Sequence, residues 1–178
     1  MKILNALLLL ATLSSAAWAG EAADDPDRLD ALLGEWSGSA WTQRWPQRVE
    51  SESHELVRRV LGGTALLIEG NHFAIRDGVR VPVHTALALI RRAADGSYRI
   101  HSYLSDGRDI EASGRWVDDE FQWGFALPDG SRQIRYRMRL AGDTWVETGE
   151  TSSDGQAWTK FFEMNLVRQV PAGTTTKK

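Results

Sequence analysis

Three carboxylates stand on otherwise apolar stretches of this chain: Glu69 follows Leu66, Leu67 and Ile68, Glu147 comes two residues after Trp145, and Glu163 lies between Phe162 and Met164. In an extended chain alternate residues share a face, so an inward Trp145 takes Glu147 inward with it. A lone buried carboxylate is costly or titrates upward, and it needs an arginine, tyrosine or amide partner. Arg99 and Tyr103, which share a face with His101, are the candidate partners. Such a set has three readings: a polar network or outward ion pair that fixes strand register, a polar base to an apolar cup that orients a ligand's head group, or a general base of raised pKa at Glu147 or Glu163. Nothing pairs such a base with a group that would stabilise an electrophile, so no residue is assigned a catalytic role.

Other chemistries lack their parts. The histidines, at positions 54, 72, 84 and 101, have no short metal-ligating spacing, and His54-Glu55 is followed by Leu56, Val57 and Arg58 rather than by a second helical histidine. His72 and His101 could ligate a metal only if both faced inward on neighbouring strands, and no metal site is expected. With no cysteine, disulfides, thiolate zinc sites, a cysteine nucleophile and a lipoprotein anchor are excluded. No Gly-x-Ser-x-Gly elbow, phosphate loop or dinucleotide fingerprint occurs.

The elements that must position these groups are strands. Ile134, Tyr136, Met138 and Leu140 alternate with Gln133, Arg135, Arg137 and Arg139, and Phe121, Trp123, Phe125 and Leu127 alternate with Gln122, Gly124 and Ala126. Asp-Gly pairs at 77–78, 95–96, 106–107, 129–130 and 154–155, with Gly62-Gly63, punctuate a meander of hairpins. Ten strands are expected, over 35–42, 49–60, 64–72, 82–91, 97–104, 108–116, 119–127, 131–140, 143–151 and 157–168. Left open, such a sheet exposes two edges; closing it into a single antiparallel up-and-down β-barrel removes both. The amphipathic turn at Leu29, Leu32 and Leu33 is expected to plug one end, with Trp36 entering the floor. Trp36, Trp41, Trp116, Trp123, Trp145 and Trp158 either fill the barrel or line a cavity in it.

The chain has 178 residues, 21 basic against 24 acidic, and a formal net charge of −3. Without a basic excess, nucleic-acid binding has no electrostatic footprint. Met1 to Gly20 reads as a secretory leader: Lys2, an apolar run from Ile3 to Leu13, and Ala17-Trp18-Ala19 as the cleavage site. The expected division is a signal peptide over 1–19, a flexible lead over 20–28, the barrel over 29–169 and a disordered tail over 170–178, the mature chain being periplasmic or secreted with no integral membrane segment. Oligomeric state is left open.

Gly34-x-Trp36 after a short helical turn, with Arg168 closing the last strand, resembles the calycin (lipocalin-like) signature. The resemblance implies that Arg168 covers the Trp36 indole and closes the barrel end. The run LLGEW, LGGTALLIEG, ALALI, DGSYRIHSYLSDGR, FQWGFALPDG, WVETGE, SSDGQAW and FFEMNLVR is similar to a family of secreted bacterial lipocalin-like proteins of unknown function, over about Leu29 to Arg168. Gly34 to Gly38 also resembles the entrance strand of nitrobindin-type haem barrels, which hold iron with a histidine near the C-terminus. No histidine follows His101, so no cofactor, haem included, is expected.

The resemblance implies a binding module more than an enzyme. The first expectation is a carrier or sensor for a small hydrophobic molecule, with Glu69, Arg99, His101, Tyr103, Trp123, Tyr136, Trp145, Glu147 and Glu163 as the candidate cavity. The alternatives are an isomerase- or hydrolase-type enzyme using an inward glutamate, and a barrel filled by its own aromatic side chains that serves a structural or partner-binding role.

Overall fold

The computed structural model describes residues 28–170. The expected signal peptide, most of the lead and the tail from 171 lie outside the described residues. Within them ten strands make one closed antiparallel barrel in which each strand pairs with its chain neighbour and the last returns to the first. They are β1 (Gly34–Arg44), β2 (Gln47–Val60), β3 (Ala65–Arg76), β4 (Val79–Arg92), β5 (Tyr98–Leu104), β6 (Asp109–Val117), β7 (Glu120–Ala126), β8 (Gln133–Ala141), β9 (Thr144–Ser152) and β10 (Thr159–Arg168). These are the expected strands with adjusted ends, the largest change being that β3 runs on to Arg76. A 3-10 turn, Arg28–Leu32, precedes β1.

The turn chemistry explains the meander. Asp77-Gly78 is a two-residue loop with φ of 51° and 75°, the left-handed pair that matches the twist of a tight hairpin. Asp95 and Asp129 act differently: each carboxylate accepts the backbone N–H two residues on, from Ser97 and Ser131, and so makes a turn from its own side chain.

Core residues cluster at one end of the barrel. Trp36, Leu66, Tyr98, Phe121 and Trp145 sit near the starts of odd-numbered strands, and Val57, Ile90, Met138 and Leu166 near the ends of even-numbered ones. In an up-and-down barrel those positions share an end. Leu29 and Leu32 join them, fully buried. Trp36 donates its indole N–H to Leu32 O at 2.7 Å and meets Trp145 edge-on at 5.7 Å. Arg168, opposite Trp36 in the β1–β10 register, lays its guanidinium 4.1 Å from the indole centroid and donates to the carbonyls of Leu33 and Ala31. Such a cation–π contact is worth about 0.5–2 kcal/mol.

The arginine row of β8 lies outside, where Arg135 and Arg137 reach Glu150 and Arg139 reaches Glu120. Trp41 and Trp158 stand apart from the barrel cavity; each carries a guanidinium on its ring, from Arg48 and Arg135 respectively.

Candidate functional site

The barrel is filled at one end and hollow at the other. A cavity of about 980 Å³ occupies the half toward the β1–β2, β5–β6 and β7–β8 hairpins, with Arg44, Asp106, Arg108, Leu127 and Pro128 among the residues lining it there. Ala86 and Ala88 keep the β4 wall thin, and Ile68, Phe125, Ile134 and Phe162 add apolar surface. A bulge in β10 between Lys160 and Phe162 presents both Phe161 and Phe162 to the cavity, as bulges re-aim side chains elsewhere.

Glu147 is one of two buried carboxylates in this wall, 8% exposed. Trp145, Glu147 and Gly149 alternate inward along β9. Trp123 of β7 donates its indole N–H to Glu147 Oε1 at 2.7 Å. The indole is held by stacking on Tyr136, with centroids 4.1 Å and planes 9° apart. Tyr136 lies opposite Gly149 in register, and a Cβ at Gly149 would stand 2.8 Å from the Tyr136 ring, so glycine seats the tyrosine. The Trp145 indole N–H gives Glu147 a weaker interaction outside hydrogen-bond geometry. No arginine or lysine pairs with Glu147 among the described residues. Burial pushes its carboxyl up to about 7, and the Glu55 charge adds to the rise while the Trp123 and Trp145 N–H groups oppose it. Burial, and then the Glu147 charge, also raise the Tyr136 hydroxyl.

Glu55, 7% exposed, is the second carboxylate. It lies opposite Gly70 in the β2–β3 register, and its Oε2 fills the place of a side chain there, 2.6 Å from where a Cβ would be. His72 bridges Glu55 and Ser53: Nε2 is 3.2 Å from Glu55 Oε1, and Nδ1 is 2.9 Å from Ser53 Oγ. One tautomer satisfies both, with Nε2–H donating to the carboxylate and Nδ1 accepting from the hydroxyl. The order serine, histidine, carboxylate is that of a nucleophilic relay, but Ser53 is 0% exposed and lines no part of the cavity. Its role here is to orient the imidazole.

His84 faces His72 at 5.2 Å between ring centroids, beside the bulge that ends the regular β3–β4 register. Its ring keeps surface open to the cavity yet is walled by protein. That burial, then His72, Arg108 and Arg44, pull it down to about 4, with Asp106 opposing. His84 is therefore neutral at pH 7. At the mouth Arg108 is taken by Asp106 through bonds of 2.7 and 2.9 Å, and Arg44 donates to Val83 O at 2.6 Å.

Of the nine residues expected to line the cavity, Trp123, Tyr136, Trp145 and Glu147 do, and they form one contiguous cluster. The others face out. Glu69 pairs with Arg58 on the outer face, because Leu66, Ile68 and Gly70 take the inward positions of β3. Glu163 pairs with Lys160 at 2.8 Å, since Phe162 and Met164 point in. Arg99, His101 and Tyr103 do share a face, but Tyr98, Ile100 and Ser102 own the inside of β5. His101 stacks on Tyr103 at 4.6 Å and lies near Asp109. His72 and His101 thus sit on opposite sides of the wall, with β4 between their strands.

Sequence reasoning missed Glu55, Ser53, His84 and Arg108. In β2 the stretch Ser51 to Glu55 is polar on both faces, so alternation cannot say which side is inside. A usable signal was present in glycine: Gly70 and Gly149 interrupt strand interiors where Glu55 and Tyr136 need room.

No protein-family model matches the chain, and a search of curated proteins finds no significant relative. Solved structures do share its fold. Rv2717c from M. tuberculosis superposes with a TM-score of 0.63 at 19% identity, covering 80% of this chain and 95% of that one. The S-type phycobiliprotein lyase CPES from Guillardia theta superposes with a TM-score of 0.58 at 7% identity, covering 80% of this chain and 90% of that one. At these identities the likeness is one of fold, and a lipocalin-like barrel describes it coarsely.

Proposed function

We propose that the protein binds a small, mainly apolar molecule in the hollow half of its barrel and serves as an exported carrier or sensor. The observation that carries this reading is the coexistence of a packed end and a cavity of about 980 Å³, in which a few polar groups interrupt apolar walls. A barrel that only needed to be stable would gain by filling that space. In this reading the 3-10 turn plugs the packed end, Arg168 locks it over Trp36, and the ligand enters past Arg44 and Arg108. Met1 to Ala19 acts as the export signal. In this reading the ligand is not haem: His72 commits both ring nitrogens to Ser53 and Glu55, and no histidine follows His101, where nitrobindin-type barrels carry their iron ligand.

Native mass spectrometry of residues 20–178, purified from a periplasm without detergent, tests the reading. A stoichiometric organic adduct is expected. A bare mass that stays bare after incubation with a panel of lipids and porphyrins would overturn it, and uptake of haemin with an imidazole-ligated spectrum would overturn its haem-free form.

One observation favours a second reading, general acid–base catalysis: the Glu147 carboxyl titrates near neutral pH in a cavity. Among the described residues no arginine or lysine stands beside Glu147 to stabilise a developing oxyanion. Turnover of a candidate substrate that Glu147→Gln abolishes, with binding retained, would move the function from carrier to enzyme.

A further inference from the structure

The polar end of the cavity is short of positive charge. Glu55 and Glu147 are both more than nine-tenths buried and both line the same space. Their hydrogen-bond donors are the His72 imidazole and the Trp123 indole, one oxygen each; the indole leaves the charge of Glu147 uncancelled, and no arginine or lysine pairs with Glu55 among the described residues. Glu55 Oε2 and Glu147 Oε2 accept no hydrogen bond from the described residues. The cavity's cations stand at its mouth: Arg108 is paired with Asp106, and Arg44 donates to the neutral Val83 carbonyl and keeps its charge there. Buried carboxylates without a counter-charge are costly, and proteins meet that cost by neutralisation or by pairing.

We propose that the ligand supplies the missing charge: the cavity is built for a hydrophobic amine, whose protonated nitrogen lies between Glu147 and Glu55 and whose apolar body lies along Ile68, Ala86, Ala88, Phe125 and Ile134. This rests on the ligand-binding reading above and names the chemical class. A primary ammonium carries donors enough for both unused oxygens. Trp145, Tyr136 and Phe162 line the same space, and aromatic rings near an ammonium favour it further. Glu147 stands beside the aromatic cluster of β7, β8 and β9, and Glu55 stands over Gly70 on the β2–β3 wall, so the head lies between these two walls and the body runs on along the small and branched side chains of β3, β4 and β8.

The test is isothermal titration calorimetry of the leader-free chain at about pH 8 with three probes of equal chain length: decylamine, decan-1-ol and decanoate. The amine is expected to bind at least about tenfold more tightly than the alcohol, the increment of one partly desolvated ion pair, and the decanoate more weakly than either. Glu147→Gln, which keeps an acceptor for Trp123, is expected to erase most of the amine's advantage and leave alcohol affinity unchanged. Glu55→Gln, which does not touch the Trp123 bond, provides a second variant and is expected to reduce the same advantage. Alcohol or decanoate binding as tightly as the amine would overturn the assignment of ligand class while leaving the binding function standing. Absence of binding by all three probes would overturn both.

Discussion

Trp123 meets Glu147 through an indole N–H at 2.7 Å, a neutral donor to a carboxylate that no arginine or lysine reaches among the described residues. The contact fixes where the carboxylate points without removing its charge. Because Trp123 is stacked on Tyr136, and Tyr136 is seated on Gly149, three strands cooperate to hold one uncompensated acid against the cavity. That arrangement is poor for stability and suited to binding, which is the sense in which buried ionisable groups mark functional sites.

Glu147→Gln is expected to stabilise the free protein at high pH. The carboxyl moves from 4.5 to about 7 on folding, so the folded state holds the proton more tightly than the unfolded chain does. The resulting penalty is absent below pH 4.5, grows between 4.5 and 7, and is complete above 7, on the order of 3 kcal/mol. Urea denaturation at pH 8 should show the variant more stable, with the gap closed at pH 4. A variant less stable than wild type at pH 8 would contradict the account.

His84 acts in the opposite direction. Its imidazole falls from 6.5 to about 4 on folding, so below pH 6.5 the unfolded chain gains a proton that the folded state refuses. Stability is lost as the pH falls from 6.5 toward 4. His84→Gln should flatten this acid limb of the stability profile, leaving stability at pH 8 little changed. An acid limb of undiminished slope in the variant would mean that other groups carry it.

Gly70→Ala is expected to push the Glu55 carboxylate off His72, because the new methyl would overlap it, and so to cost about 1 kcal/mol, the worth of that hydrogen bond. Thermal denaturation of the single and double variants checks the cause. With Glu55→Ala in place the methyl has room, so the Gly70→Ala penalty should largely vanish. Equal penalties in the two backgrounds would place the strain elsewhere.

Arg168→Lys should not be conservative. The guanidinium spans the Trp36 ring, the carbonyls of Leu33 and Ala31 and the Asp143 carboxylate, and a single ammonium cannot reproduce that fork. A loss of about 1–3 kcal/mol is expected from chemical denaturation, whereas Arg139→Lys, on the exposed outer face, should cost under about 0.5 kcal/mol.

The outward residues give a control for the site. Glu69→Ala, His101→Ala, Tyr103→Ala and Glu163→Ala should leave decylamine affinity within about twofold of wild type, since none of these residues lines the cavity. A large loss in any of them would mean that the wall is crossed by a different register in solution.

Several features of this protein were determined by the sequence alone. Asp-Gly pairs specify where the chain reverses, because few other residues accept the backbone angles of a tight hairpin, and alternation specifies which residues keep company on each strand. Asp-Gly pairs mark five of the nine reversals, alternation marks the strands between the others, and closure follows from leaving no edge of the sheet unpaired. Trp145 and Glu147 were also legible as companions, since alternate residues of a strand share a face, although which way that face turns was not.

Which face is inside was decided by tertiary structure wherever both faces had a claim. On β5 the aromatic and basic residues Arg99, His101 and Tyr103 compete with Tyr98, Ile100 and Ser102, and on β3 Glu69 follows an unbroken apolar run. A side-chain period of two makes the alternatives differ by one residue, so local pattern carries no preference between them. The barrel breaks the tie by register, which sets Glu55 opposite Gly70 and Tyr136 opposite Gly149, where glycine leaves room for the larger side chain. The cavity itself is a further step removed, since it depends on small residues from β4 meeting, across the closed barrel, large ones from β7, β8 and β10. That sum over distant strands is formed only when the ends of the sheet are joined.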